Sequence, residues 1–322
     1  MPRLAKHPAI LPIFLPQRGC LRRCSFCDQQ SQTGAAPPQP PHVAEPVLRR
    51  RLEAIRHGGR KAALAFYGGS FDGLPGAERE AWLELAGALQ RDGLVEGGVR
   101  VSAHPAGLSI HRIDALRRGG VGVVEVGVQS LDDAVLRRAA RGHDAGGAEA
   151  ACRRVMGAGL RCVVQLMAGL PGADRAGDLR TAGGIAALRP QGVRIHPTLV
   201  LQGTGLEDEL SRGWRPPDLE EAVERVAAMV AILEAAEVPV IRLGVQDTGC
   251  LGARVLAGAW HPAFGELVYG ELLARRLAQG LGPGDRGVEV PRREASRLLG
   301  HGRRGLRRLE ELAGRTIEVV LV

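Results

Sequence analysis

Six times in the first two-thirds of the chain a short apolar run is followed by a helical pattern, and this alternation limits the fold more than any other feature. The strand candidates are 10–15, 62–67, 98–103, 121–128, 161–167 and 192–201, and the helical stretches lie near 44–57, 76–91, 109–118, 131–140, 146–158 and 174–188. Strands that read as near-continuous Val, Ile and Leu need cover on both faces, which a parallel sheet under helices supplies. The expected fold class is therefore α/β. Forty-five glycines provide the tight turns that such repeats require. Periodicity alone does not separate an open sheet from a complete or partial barrel, whose chemistry would sit at the C-terminal strand ends.

After about residue 205 the pattern changes. Residues 217–236 read as one long amphipathic helix begun by Pro216 and Pro217, 238–246 as a further strand, and 264–279 as a helix. Residues 287–322 read as a small strand–helix–strand unit. The expected division is a core over 1–205 and a C-terminal helical and small α+β extension over 206–322, packed on that core. The extension's "GRRGLRRLEEL" stretch carries four arginines in six positions. They form either a solvated helix face or a patch that contacts RNA.

The chemistry is concentrated in "GCLRRCSFCDQQ", where Cys20, Cys24 and Cys27 stand three and two residues apart. Thiolates at this spacing can converge on one soft metal centre. An iron–sulfur cube normally takes four protein thiolates, so three leave one iron open to a small molecule. A structural zinc loop is the alternative. It needs a fourth ligand for a closed tetrahedral shell, and His7 and His42 are the nearest candidates. Cys152, Cys162 and Cys250 lie among apolar neighbours and read as buried free thiols in a reducing compartment.

The cysteine loop resembles the signature of the radical S-adenosylmethionine (SAM) enzymes, including the aromatic Phe26 before the third cysteine. The resemblance implies a partial (βα)6 barrel, a 4Fe–4S cluster held by Cys20, Cys24 and Cys27, and SAM bound at the open iron. It implies further that Gly68 and Gly69, with Ser70, in "LAFYGGSFDGLP" hold the amino group of SAM. "VVEVGVQSLDDAVLRRAARGHDA" resembles the elongator catalytic subunit family and, more loosely, oxygen-independent coproporphyrinogen III dehydrogenases. In those relatives a glutamine and an arginine twelve residues later contact SAM, and Gln129 and Arg141 stand at that spacing here. An amide suits ribose hydroxyls and a guanidinium suits the methionine carboxylate. The alternative has Gln129 capping a helix and Arg141 paired with Asp132 or Asp133. Phe14 and Phe26 align with aromatics near the cofactor. Ser102 stands where those relatives have an acidic residue and Gln165 where they have aspartate.

The chain departs from the elongator pattern at His104 and Ala106, where an arginine and an aspartate are usual, and at His196, where a tyrosine is usual. "MAGLPG" at 167–172 is a family-like turn whose backbone would flank the adenine. "AGAWHPAFGELVYGELL" resembles a stretch in bacterial members of the elongator-type branch, and its His261 is either a proton donor to the substrate or a turn residue before proline. The acetyltransferase domain of the full elongator subunit is not expected, since the chain ends at Val322.

The net charge of +8 favours anionic partners such as RNA, although only Lys6 and Lys61 among the 43 basic residues are lysine. No window reaches about 18 uninterrupted apolar residues and the N-terminal stretch is broken by prolines, so a cytoplasmic protein with no membrane segment is expected. The resemblance implies an electron donor such as flavodoxin or ferredoxin, reductive cleavage of SAM to a 5′-deoxyadenosyl radical, and an RNA substrate such as transfer RNA. Two other readings remain: a small-molecule substrate such as a porphyrin, and a metal-stabilised RNA-binding protein without turnover.

Overall fold

The computed structural model describes residues 8–34, 38–245, 249 and 251–322. His7, Cys250 and the expected strand end at Gln246 lie outside the described residues. Strand β1 (Ala9–Phe14) runs into the cysteine loop and, past the short helix α1 (Gln29–Thr33), into α2 (Pro41–His57). Then come β2 (Ala62–Tyr67) and α3 (Gly76–Arg91), β3 (Val99–Ala103) and α4 (Ile110–Arg118), and β4 (Val121–Gln129) with α5 (Asp133–Arg138) and α6 (Ala145–Gly157). β5 (Arg161–Ala168) is followed by α7 (Arg175–Leu188), and β6 (Gly192–Pro197) by the short strand β7 (Leu199–Leu201) and α8 (Gly205–Ser211). Helix α9 (Leu219–Ala235), strands β8 (Val240–Leu243) and β9 (Val255–Gly258), helix α10 (Phe264–Gly280), strand β10 (Gly287–Val290), helix α11 (Ala295–Ala313) and strand β11 (Glu318–Leu321) complete the order.

Seven parallel strands form one sheet in the order β1-β2-β3-β4-β5-β6-β8. The sheet is curled. Arg194 on β6 donates to the hydroxyl of Tyr67 on β2 at 3.2 Å, although four strand spacings would separate those strands by about 19 Å in a flat sheet. The expected partial barrel is therefore present, with β8 as a seventh strand at its edge. Aspartates set where its helices begin. Asp132, Asp144, Asp174 and Asp218 accept from backbone N–H groups in the first turns of α5, α6, α7 and α9, each satisfying donors that a helix start leaves unpaired.

The expected strand 192–201 is two strands. Both the backbone N–H and the hydroxyl of Thr198 donate to the Ala168 carbonyl, at 3.0 and 2.8 Å. That turns the chain off the sheet, and β7 pairs antiparallel with β9. One apolar cluster runs from Leu11 to Val268 and takes in the sheet, its helices and residues of α9 and α10. A second, smaller cluster joins the end of α10 to the unit formed by β10, α11 and β11.

The arginines of α11 hold elements together. Arg308 reaches Glu271 on α10 at 3.2 Å and Glu224 on α9 at 2.8 Å, and Arg304 binds Glu220 on α9. Those two side chains are spent on internal ion pairs and leave Arg303 and Arg307 as the exposed members of the run. Among the described residues no helix is long and apolar enough to cross a membrane.

Candidate active site

One cavity of about 810 Å³ opens inside the curled sheet, and Cys20, Cys24 and Cys27 line it. So do Phe26, Gly68, Gly69, Ser70, Ser102, Gln129, Arg141 and Gln165, together with Phe14. These residues come from five different strands or the loops after them. The curl alone assembles them.

The cysteine loop is fixed from both sides. Ser25 N–H donates to the Ala139 carbonyl at 3.1 Å, and Leu206 N–H donates to the Ser25 carbonyl at 2.9 Å. The turn after β2 locks its entry. A side chain on Gly69 would place Cβ 2.2 Å from the Arg18 carbonyl oxygen, and one on Gly19 would place it 2.1 Å from that of Ser70. The two loops pack backbone to backbone, which only glycine permits. Cys20 Sγ lies 3.5 Å from Ser70 Oγ, and Arg141 donates to Cys24 Sγ at 2.9 Å. Burial, and then the two neighbouring sulfurs, push the Cys27 thiol up to about 12. Metal binding at this loop must therefore displace protons.

Gln129 ends β4 with φ +69°, in the left-handed region, where the pairing with β5 shifts register. A non-glycine residue held there is strained, and such strain collects at functional sites. Its Oε1 is buried with no partner among the described residues, and so is the Nε of Arg141. The alternative roles are not seen. Asp132 caps α5, Asp133 accepts from Ala145 N–H, and Arg141 turns inward to Cys24 and the Gly127 carbonyl. Buried polar groups are nearly always satisfied, so two orphaned ones beside three thiols fit a site built for a polar ligand on a thiolate-bound centre. Among the described residues no three His, Cys, Asp or Glu side chains converge on a single metal ion. An iron–sulfur cube differs in that its thiolates bind separate irons.

Two histidines support this corner. His104 Nδ1 accepts from Ala106 N–H at 3.2 Å, so Nε2 carries the proton and donates to the Arg141 carbonyl at 2.8 Å. His143 Nε2 faces the Val128 carbonyl at 3.2 Å and its Nδ1 faces His104 Nε2 at 3.3 Å. Burial, then the Arg141 charge, holds both imidazoles at about 4, hence neutral at pH 7. His104 occupies one of the positions where the chain departs from the elongator pattern, and it ties the end of β3 to the turn carrying Arg141.

His261 does not line the cavity among the described residues. Its Nδ1 accepts from Ala263 N–H at 3.0 Å, and its ring packs on His301 with centroids 5.3 Å apart. It shapes the turn before α10. A further polar group, not expected from the sequence, lies deeper inside. Glu125 is buried and accepts from Tyr67 at 2.6 Å, Arg100 at 3.0 Å and Arg194 at 3.2 Å. Its signal was legible as single charges within "VVEVGV", "VRVSA", "VRIHP" and "VIRLG".

A family model described as the Radical SAM superfamily matches residues 14–177, and one described as the Radical_SAM C-terminal domain matches residues 190–274. The chain is 25% identical over 280 residues to tRNA uridine(34) acetyltransferase of Methanocaldococcus jannaschii, covering 72% of this chain and 52% of that protein. It thus spans about half the length of that relative. A solved structure of Methanocaldococcus infernus Elp3 with an N-terminal deletion superposes with TM-score 0.66 at 22% identity, over 84% of this chain and 64% of that one. Coproporphyrinogen III oxidase (HemN) from Escherichia coli superposes with TM-score 0.51 at 19% identity, over 71% and 53%. Since the first family model covers just over half of the sequence and includes the three-cysteine loop, the chain belongs to the radical SAM superfamily and is an enzyme of that kind.

Proposed function

We propose that this enzyme cleaves SAM reductively at a cluster held by Cys20, Cys24 and Cys27 and acts on an RNA substrate, a transfer RNA. The observation that carries the first half is the meeting, in one cavity, of three thiols with the orphaned polar atoms of Gln129 and Arg141. When bound, the 4Fe–4S cluster and SAM supply one-electron chemistry that yields methionine and a 5′-deoxyadenosyl radical. The chain's own residues do the rest. The three cysteines would ligate the cluster, and Arg141, which donates to Cys24 Sγ, would offer its guanidinium to the methionine carboxylate. Gln129 offers its amide to the ribose, with Ser102 and Gln165 facing the same space. Gly68, Gly69 and Ser70 bring backbone close to the amino group, and Phe14 and Phe26 keep water from the reacting centre. A reducing partner of flavodoxin or ferredoxin type would supply the electron.

The RNA half is supported by the M. jannaschii relative, a tRNA uridine(34) acetyltransferase, and by the net charge of +8. Anaerobic reconstitution with iron and sulfide, then dithionite and SAM, tests the reaction class. Wild type is expected to release 5′-deoxyadenosine. Cys24→Ala is expected to lose the iron–sulfur absorbance together with activity, whereas Arg141→Ala keeps the absorbance and loses at least tenfold in kcat/KM for SAM, the scale of a truncated buried charge contact. A reconstituted cluster that releases no 5′-deoxyadenosine overturns the proposal.

A further inference from the structure

Below the thiols, the cavity has a floor of unbalanced charge. Arg194 and Arg242 line it beside Glu125, Tyr67 and His196. Glu125 lies four residues before Gln129 on β4 and in register with Ser102 on β3, and Arg194 is in register with Gln165 on β5, so the floor begins at the level of Ser102 and Gln165. Arg194 Nε stands 3.0 Å from Glu125 Oε2, and Arg100 also bonds this carboxylate. One carboxylate thus serves two guanidiniums. The third, Arg242, sits on the neighbouring strand, paired in register with Arg194. It is half-buried and has no carboxylate partner among the described residues. Burial and the adjacent Arg194 charge pull its pKa down from the usual arginine value. His196 adds a buried Nε2 with no partner among the described residues. A desolvated cation without a counter-charge is costly, and three guanidiniums facing one carboxylate leave a formal excess of two positive charges.

We infer that this floor binds an oxyanion, a carboxylate or a phosphate, carried by a small-molecule co-substrate that enters the cavity beside SAM. Arg242 is its main anchor, forked onto two oxygens as a guanidinium binds such groups, with Arg194 and His196 alongside. The inference rests on the cavity being the radical SAM site proposed above, and it adds the chemical class of what lies beside the cofactor.

Anion binding to the full chain is read by the shift in thermal unfolding midpoint with succinate and, separately, with inorganic phosphate, against chloride at matched ionic strength. Wild type is expected to be stabilised by at least one of the two, and the stronger of them tells carboxylate from phosphate. Arg242→Gln is expected to weaken that binding by roughly tenfold or more, Arg242→Lys to weaken it less, and the exposed Arg303→Gln to leave it unchanged. Equal binding by Arg242→Gln and wild type, or no binding by wild type, overturns the inference. So does loss of succinate binding in saturating SAM, which would mean that these arginines hold the methionine carboxylate. The 5′-deoxyadenosine assay on wild type is independent of all these readings, so a failed floor and a failed cofactor site give different results.

Discussion

Asp72 illustrates how a single residue is bent to the needs of this site. It is buried, accepts from His104 N–H at 3.1 Å, and so ties the turn after β2 to the end of β3. Burial raises its carboxyl from 3.8 to about 6, opposed by that N–H. Since the folded value lies above the unfolded one, the folded state binds the proton more tightly. The contribution to stability is full below about pH 3.8 and lost as pH rises to about 6. Asp72→Asn keeps an acceptor for His104 without the charge. Its stability relative to wild type is expected to rise between pH 4 and pH 7, by on the order of 3 kcal/mol from two pKa units, and to level off above. Urea unfolding across that range measures it, and a flat difference would mean that burial does not govern this carboxyl. Gln129 and Arg141 are residues of the same sort. Their identities and spacing were readable in the sequence, but not that a left-handed backbone turn would leave one amide oxygen unpaired inside the barrel.

At the scale of elements, periodicity placed the strands and helices of the core to within a few residues because the strands β2, β4 and β5 are buried along most of their length and the helices on one face. It failed where a single contact decides. Nothing in "VRIHPTLVL" announces that Thr198 will bond Ala168, a residue on another strand, and so divide one strand into two. The arginine run of α11 is a similar case. A row of charges looks the same in sequence whether it faces solvent, RNA or the acids of neighbouring helices. Here Arg308 serves Glu271, which is buried and also held by Arg275 at 2.6 Å. Arg308→Ala is expected to lower the unfolding free energy by about 1–3 kcal/mol, less than a fully orphaned buried pair because Arg275 remains. Arg303→Ala, on the exposed side, is expected to stay within about 0.5 kcal/mol of wild type. Equal unfolding midpoints for both variants in denaturant would show that the α11 arginines do not staple the helices.

For the molecule as a whole, the curl of the sheet is the decisive event. It brings Tyr67 on β2 within 3.2 Å of Arg194 on β6 and encloses the cavity. If the outer surface meets RNA as proposed, the net charge of +8 acts through counterion release. Affinity for a transfer RNA is then expected to fall by at least tenfold between about 50 and 200 mM salt. Filter binding across that range tests it, and no retention at low salt would remove RNA as a partner.

Three thiols at fixed spacing, the strand–helix alternation and the glycine turns are local properties, so the chain carried its three-cysteine loop and its α/β class in the order of its residues alone. The floor of arginines, the pairing of neutral His104 with His143 and the exclusion of His261 from the cavity depend on which strands become neighbours and which way each pleat points. Those are decided by contacts between residues far apart in sequence, 127 positions for Tyr67 and Arg194, and no local pattern records them.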